Sequence, residues 1–337
     1  MTNLFIIGNG FDLAHGLLTS FGDFRAYLHT LTSERLLSYY NAEGPLNIKE
    51  GQDGEEYIAI EDVIAFTIHL YDSLCSPHPL WSDLEENTAN IDFNQWLNDH
   101  DLGYRDKEGD INPWATEENF KLQAKSLSLV IPTLPILINH WIHTISLTNI
   151  PPKETLKKLM DKENNLFFSF NYTLTLEDVY NISSEQICHI HGKCDNTNFG
   201  TLPHRFLAHE IPNYHIKVGH NKTFNFKFDR DFHYHEISEI VNDMANSLNK
   251  NIASNITNNQ IFFSKLKKLD VRHIYSYGFS YSSVDQDYIK EIIKNIDTLN
   301  SIWHFNNYDI IHNPMYQKKL KNYGYMGQIA PEPFIME

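Results

Sequence analysis

The sequence predicts an α/β protein built on a Rossmann-like parallel sheet with a helical insertion. Short apolar runs typical of buried strands are followed along the chain by segments of helical periodicity. Four of these runs end in a small or polar residue, namely Gly8, Asn171, His191 and Gly278. Because ligands bind at the carboxyl ends of the strands in an open α/β sheet, we expect these residues to line one pocket. The alternative is that each is an ordinary turn residue.

The first strand ends in a glycine-rich turn. Leu4 to Ile7 is apolar, and Gly8-Asn9-Gly10 follows it before a predicted helix. A strand, a Gly-x-Gly turn and a helix in this order present backbone N–H groups to a phosphate, and glycine permits the tight turn. Without a third glycine at the dinucleotide spacing, the segment is also consistent with a plain strand-to-helix turn.

Residues 40–150 are predicted to form a helical insertion or cap beside the sheet. Helices in and just before this region are predicted from apolar residues at helical spacing, over 24–39, 55–75 and 120–146. Pro132 and Pro135 interrupt or kink the last of them. The sheet domain is then predicted to comprise residues 1–39 and 151–337.

The second half of the chain is predicted to supply the other strands of the sheet. Strands are predicted at 165–170, 186–190, 273–277 and, as the last one, 301–305. Helices are predicted at 153–162, 232–249 and 285–296, and an irregular segment at 196–227.

Composition narrows the class of protein. The chain has 337 residues and a formal net charge of −16, which argues against a broad electrostatic footprint for nucleic acid. Cys75, Cys188 and Cys194 lack CxxC spacing, so neither a disulfide framework nor a thiolate zinc site is indicated. No segment reaches the roughly 20 apolar residues of a membrane span, and the first strand leaves no room for a signal peptide. We therefore expect a cytoplasmic protein without membrane contact.

The strand-end segments resemble the bacteriophage abortive-infection AbiH family and, more remotely, the sirtuin-like NAD-binding fold. The segment Ile6-Ile7-Gly8-Asn9-Gly10-Phe11-Asp12-Leu13-Ala14-His15-Gly16-Leu17 resembles the AbiH opening and is similar to the sirtuin segment that faces the NAD phosphates. Further segments are similar to sirtuin motifs in the same order, namely Asp23-Phe24-Arg25, Phe170-Asn171-Tyr172-Thr173, His189-Ile190-His191-Gly192 and Gly278-Phe279-Ser280.

This resemblance implies an anti-phage effector that hydrolyses NAD at the nicotinamide–ribose bond without a tightly bound cofactor. It implies Asn171 and His191 as the catalytic residues and no metal ligand. The residues that it implies for NAD binding are Gly8, Asn9, Gly10, Phe11, Asp12, Arg25, His189, Gly278, Ser280 and Asp285. A phage-derived trigger and a homo-oligomer are further partners that such a role allows.

The chain departs from the sirtuin pattern at three points. Deacylating sirtuins carry two cysteine pairs for zinc, which are missing here, and this argues against an acyl-lysine groove. Asp12 stands where many relatives have Ser, and a carboxylate repels a pyrophosphate, so Asp12 is alternatively predicted to cap the following helix. Thr173 stands where sirtuins have the Asp that binds the nicotinamide amide.

The residue types at two strand ends suit the expected chemistry. Nicotinamide leaves as a neutral molecule, so it needs little protonation by an acid. The reaction instead needs a water molecule that is held in position to attack the ribose. The amide of Asn171 can orient that water or the ribose hydroxyls, and a neutral His191 can take its proton. His189 is predicted to share a strand face with His191 and to support it. The alternatives are a turn residue at 171 and a structural histidine at 191.

A second function class is a nucleotide-sensing or nucleic-acid-processing effector, such as a nuclease, on the same fold. A metal requirement would favour it. His235 and Glu239 share helical i, i+4 spacing beside His233 and Glu236, although a solvated helix face is the simpler interpretation of this cluster. Released nicotinamide would favour the hydrolase.

Overall fold

A computed structural model gives the fold and describes residues 2–41, 46–74, 107–110, 112–160, 164–193, 202–207, 252–307 and 312–334. The chain divides into two compact units. Unit 1 comprises Met1–Ser20, Ile142–Thr197 and Asn251–Glu337, and unit 2 comprises Phe21–Trp141 and Asn198–Lys250. Each unit is therefore assembled from separate stretches of chain.

The elements are numbered in chain order. The strands are β1 (Thr2–Ile7), β2 (Ile48–Glu50), β3 (Glu56–Ala59), β4 (Leu166–Ser169), β5 (Ile187–His189), β6 (Arg205–Leu207), β7 (Val271–Tyr277), β8 (Ile302–Phe305) and β9 (Gln328–Ile329). The helices are α1 (Asn9–Ala14), α2 (Phe21–Thr30), α3 (Glu34–Asn41), α4 (Ile60–Leu74), α5 (Pro113–Val130), α6 (Leu134–Thr144), α7 (Glu154–Met160), α8 (Thr175–Asp178), α9 (Ile252–Asn258), α10 (Gln260–Lys268), α11 (Gln286–Lys294) and α12 (Asn313–Asn322).

Unit 1 is built on a six-stranded sheet with the strand order β5-β4-β1-β7-β8-β9. Every pairing in it is parallel. Counted by their succession within this sheet, the strands run 3-2-1-4-5-6, which is the order of the Rossmann fold. The succession reverses between β1 and β7, so the carboxyl ends of these strands form the topological switch point. The prediction of a Rossmann-like parallel sheet is confirmed.

The central strands are apolar on both sides because helices cover both faces of this sheet. Leu4 and Ile6 of β1 pack with buried residues of α10 and α11. Phe5 and Ile7 pack on the other face with buried residues of α1, α7 and α8. Continuous apolar runs are the pattern expected of strands that are buried on both faces.

Unit 2 contains a three-stranded antiparallel sheet in the order β2-β3-β6, together with helices. Pro132 lies in a 3-10 turn, Ile131–Thr133, that joins α5 to α6. This is the interruption that the prolines predicted, because proline removes a backbone donor from the helix.

One helical stretch in the described part of the chain, Trp114–Thr144, is long and apolar enough to cross a membrane by length and composition. Its most apolar window is 72% buried within the protein, and the core helix of a soluble protein passes the same test.

The structure corrects several expectations about the elements. Residues 56–59, inside the helix predicted for 55–75, form β3, and the helix predicted for 24–39 is divided into α2 and α3. The strand β3 pairs with β2 on one side and with β6 on the other, and its four residues are too few for a periodic pattern. The strand at 302–305 is not the last, because β9 pairs with it. The predicted helix at 232–249 lies outside the described residues, as does most of the irregular segment at 196–227.

Candidate functional site

Three glycines bring the backbones of β1, α1 and β7 together at the switch point. The Gly8 N–H donates to Tyr277 O and the Gly10 N–H to Gly278 O, each at 3.0 Å. A Cβ added to Gly8 would lie 2.4 Å from Gly278 O, and one added to Gly10 would lie 2.6 Å from Gly278 Cα. Gly278 also has φ +62°, in the left-handed region. The three glycines therefore permit close contact between these backbone segments. The N–H groups of Gly8 and Gly10 are both bonded within the protein.

Asp12 holds the centre of a buried polar network beside this crossing. Its carboxylate is 1% exposed and accepts hydrogen bonds from the hydroxyls of Thr173 (2.5 Å) and Thr175 (2.8 Å). Burial raises the pKa of Asp12 to about 6, against the opposing effect of these hydrogen bonds. The N-cap of α1 is Gly8, and Asp12 is the fourth residue within this helix. The prediction that Asp12 caps the helix is therefore wrong.

Asn171 connects this network to the end of β1. Its Nδ2 donates to Gly8 O at 3.1 Å, and its side chain also bonds to Asp12. Its backbone N–H donates to the Ser169 hydroxyl at 3.1 Å. Asn171 is buried, and its amide ties the ends of two neighbouring strands together.

His189 lies between two hydrogen-bond acceptors. Its Nδ1 is 3.0 Å from the backbone oxygen of Asn171, and its Nε2 is 3.0 Å from Glu177 Oε1. The backbone carbonyl of Asn171 and the carboxylate of Glu177 lie on opposite sides of the ring, and together they fix its orientation. Sequence reasoning missed Glu177, because an acidic residue in the first turn of a short helix has no distinguishing pattern.

His191 forms a separate buried pair with Asp285. The Nε2 of His191 is 3.2 Å from Asp285 Oδ1. The ring lies among the rings of Phe170, Tyr172 and Tyr288, at centroid distances of 5.5, 6.2 and 5.4 Å. Asp285 stands at the N-cap of α11 without capping it through its side chain.

His189 and His191 do not share a strand face, so this prediction is wrong. Strand β5 ends at His189, and His191 follows in a turn before Gly192, which has φ +87°. The alternation of a strand therefore stops before His191, and the two rings have different partners. A histidine held by a carboxylate and enclosed by aromatic rings can act as a general base.

The remaining candidate residues are distributed differently. Phe11 is buried in the core, and the Nδ2 of Asn9 donates to Thr19 O at 2.8 Å. Ser280 is half-buried in the segment between β7 and α11. Arg25 belongs to unit 2, where its guanidinium forms two hydrogen bonds to Asp72 at 2.7 and 2.6 Å.

A pocket of about 400 Å³ in unit 1 adjoins the Asp12 network. Thr173, whose hydroxyl bonds to Asp12, is one of its lining residues. The others are Ile142, His143, Ile145, Ser146, Leu147, Thr148, Leu174 and Asp178. This lining offers hydroxyls, one imidazole and one carboxylate, and it includes no lysine or arginine.

No group of three or more histidine, cysteine, aspartate or glutamate side chains that could hold a metal ion is found among the residues that the structure describes. Burial raises the pKa of the Cys188 thiol to about 12, and Cys188 is free. Cys75, Cys194 and the cluster from His233 to Glu239 lie outside the described residues.

Comparison with known families assigns the chain. The family model described as "Bacteriophage abortive infection AbiH" matches residues 4–307. The chain belongs to this family. The match extends from β1 to the end of β8 and includes every candidate site residue from Gly8 to Asp285. Membership of the AbiH family indicates an anti-phage abortive-infection role. No curated protein and no solved structure matches the chain.

Proposed function

We propose that this AbiH protein acts in abortive infection by hydrolysing NAD at the nicotinamide–ribose bond. The observation that carries the proposal is the buried His191–Asp285 pair after β5, on the sheet edge that also carries Asn171 and the switch point. The carboxyl edge of a 3-2-1-4-5-6 sheet is where nucleotides bind. A resident cofactor is not part of the proposal, since NAD is the substrate.

In the proposed reaction the C1′–N bond breaks and its electron pair passes to the nicotinamide nitrogen. The positively charged nicotinamide thereby leaves as a neutral molecule, and an oxocarbenium-like ribose remains. A water attacks C1′ while His191 takes one of its protons, with Asp285 stabilising the imidazolium that forms. The products are nicotinamide, ADP-ribose and one proton.

We assign the pocket beside Thr173 to the nicotinamide–ribose end of the substrate. Its hydroxyls suit a ribose, and the carboxylate of Asp178 suits a positively charged ring. Tyr172 links it to the proposed base, since Tyr172 precedes Thr173 and its ring centroid lies 6.2 Å from that of His191. We assign the amide oxygen of Asn171 to a ribose hydroxyl.

The test is incubation of the purified protein with NAD, with and without phage lysate, and quantification of nicotinamide and ADP-ribose. Equal amounts of both products, absent from a His191→Ala protein, support the proposal. Intact NAD under both conditions contradicts it.

One observation favours a sensing role as the second candidate. The ring of His191 is enclosed by Phe170, Tyr172 and Tyr288 and lies beside Asp285, an arrangement that also suits a structural histidine in a site that binds NAD without cleaving it. Saturable binding of NAD without release of nicotinamide would support this candidate.

A further inference from the structure

We propose that His273 and His304 form a two-imidazole site for a divalent transition-metal ion of the zinc, nickel and copper class. The two residues lie on the neighbouring parallel strands β7 and β8, and Nδ1 of His273 is 3.0 Å from Nε2 of His304. This site is independent of the proposed NAD chemistry, which uses neither histidine.

The distance between the two nitrogens matches two adjacent positions in a metal coordination sphere. With metal–nitrogen bonds of about 2.0–2.1 Å, two ligand nitrogens lie roughly 2.9 Å apart at a right angle and roughly 3.3 Å apart at a tetrahedral angle. The observed spacing lies between these values. A metal ion can therefore bridge the two rings with little movement of either strand.

The sheet fixes the ring of His304 before any metal arrives. Tyr275 stands opposite His304 in the register, and their rings stack at 4.6 Å between centroids with 16° between planes. The stack continues across the sheet, since Tyr275 lies 5.1 Å from Phe5 and Phe5 lies 4.9 Å from Phe167. Stacking of this kind restricts the ring without using its nitrogens, which favours ligation because less rotamer freedom is lost.

In the metal-free pair the two facing nitrogens share an N–H···N hydrogen bond. Metal binding replaces this bond: the ring that donates moves its proton to its other nitrogen, so both facing nitrogens carry a lone pair and no proton is released.

Both rings are half-buried. No third histidine, cysteine, aspartate or glutamate joins them in the part of the chain that the structure describes. With two protein ligands, we expect the site to bind metal more weakly than a zinc finger does. We also expect its affinity for Zn²⁺ to be lower than its affinity for Cu²⁺. A bound ion would connect β7 to β8 next to the hydrogen bonds of the sheet.

The test titrates Ni²⁺, Zn²⁺ and Cu²⁺ into the full chain and into His304→Gln and His273→Gln proteins by calorimetry. His312→Gln is the matched control, because His312 is an exposed histidine of unit 1 outside the pair. We expect each pair variant to lose one binding event or to weaken it at least about tenfold, and the control to bind like wild type. Equal binding by wild type and both pair variants overturns the site.

Two further measurements guard against a folding defect. Melting without metal identifies a variant that fails to fold, and glutamine can still form the hydrogen bond that joins the two strands. In the presence of saturating Ni²⁺ we expect the Tm of wild type to rise by at least about 3 °C and the Tm of each folded pair variant to stay unchanged. The Cu²⁺ electron paramagnetic resonance spectrum should show two nitrogen ligands in wild type and one in either variant. A spectrum unaltered by both substitutions counts against the proposal.

Discussion

The Nε2 of His191 and the Oδ1 of Asp285 lie 3.2 Å apart in the interior of unit 1. The two residues come from opposite halves of the parallel sheet, since His191 follows β5 and Asp285 follows β7. Their pairing places a carboxylate beside a buried histidine that follows β5. It also supplies the first prediction.

Replacing His191 by alanine should lower NAD cleavage by a factor of roughly 10² to 10⁴, the usual contribution of a positioned general base. Asp285→Asn should lower kcat less, since asparagine keeps a polar side chain of the same size beside Nε2 of His191 and removes only the charge. The measurement is the initial rate of nicotinamide release by chromatography, with His15→Gln as a control histidine of the same unit. Near-full activity of the His191→Ala protein would show that His191 is structural.

Asn171→Ala should abolish cleavage and cellular toxicity while the protein stays folded. The substitution removes the donor to Gly8 O and one hydrogen bond to Asp12. Leaving a buried acceptor without its partner costs about 1–3 kcal/mol, which a sheet of six strands tolerates. Circular dichroism and growth after induction measure the two effects separately. An Asn171→Ala protein that stays folded and fully toxic contradicts the catalytic assignment.

Asp12 should make the free energy of unfolding depend on pH in a direction opposite to that of most carboxylates. Its pKa is raised from an ordinary 3.8 to about 6, so the folded state holds the proton more tightly than the unfolded chain. Asp12 therefore contributes its full share of the free energy of unfolding below about pH 4. This contribution, roughly 3 kcal/mol, is lost as the pH rises through about 6.

The measurement is urea unfolding of wild type and of Asp12→Asn between pH 4 and pH 7. The difference between the two proteins isolates Asp12 from the other titrating groups. We expect the variant to gain on wild type by roughly 3 kcal/mol over this range. A constant difference would mean that Asp12 is ionised throughout, with the threonine hydroxyls compensating its burial.

Gly278→Ala should destabilise unit 1 far more than Gly16→Ala. Both glycines have positive φ, +62° and +74°, so both substitutions carry the same backbone penalty of about 1–2 kcal/mol. A Cβ on Gly278 also meets backbone atoms of Gly10 and Phe11 at 2.4 Å, whereas one on Gly16 meets nothing within 4 Å. We expect a total cost of at least about 3 kcal/mol for Gly278→Ala. Equal shifts in denaturant midpoint would refute the close backbone crossing.

Chelation should leave NAD cleavage unchanged. The proposed route moves a proton to His191 and needs no divalent ion, whereas phosphodiester hydrolysis commonly uses metals to stabilise the transferring oxygens. The measurement is nicotinamide release and the Tm in EDTA. Activity that EDTA removes and magnesium or manganese restores would support the nuclease alternative.

The parallel sheet could be predicted from sequence because its strands carry local signals. The runs before Gly8 and Asn171 are largely apolar and buried throughout, and such runs mark strands buried on both faces. The antiparallel sheet of unit 2 could not be predicted in this way. Its strands have only three or four residues, too few for a periodic pattern, and β6 pairs with β3 from a distant part of the chain.

The candidate site was predictable in its residue types and less so in its contacts. Asn171, His191 and Gly278 were found because they follow strands. The sequence did not predict that Glu177 contacts His189 or that Asp12 accepts hydrogen bonds from two threonine hydroxyls. Contacts between residues distant in the chain leave no periodic pattern. The NAD-binding assignments remain predictions.

The division of each unit among separate stretches of chain affects how the protein can become active during synthesis. The ribosome releases Asn171 and His191 well before Gly278 and Asp285, yet the site needs all four, and the central strand β1 remains open on one edge until β7 emerges. A nascent chain therefore has His191 without Asp285, and β1 has one unpaired edge. The complete site of the proposed activity forms only late in translation. For an effector with the proposed activity, this order of assembly would leave stalled and truncated products without a complete site.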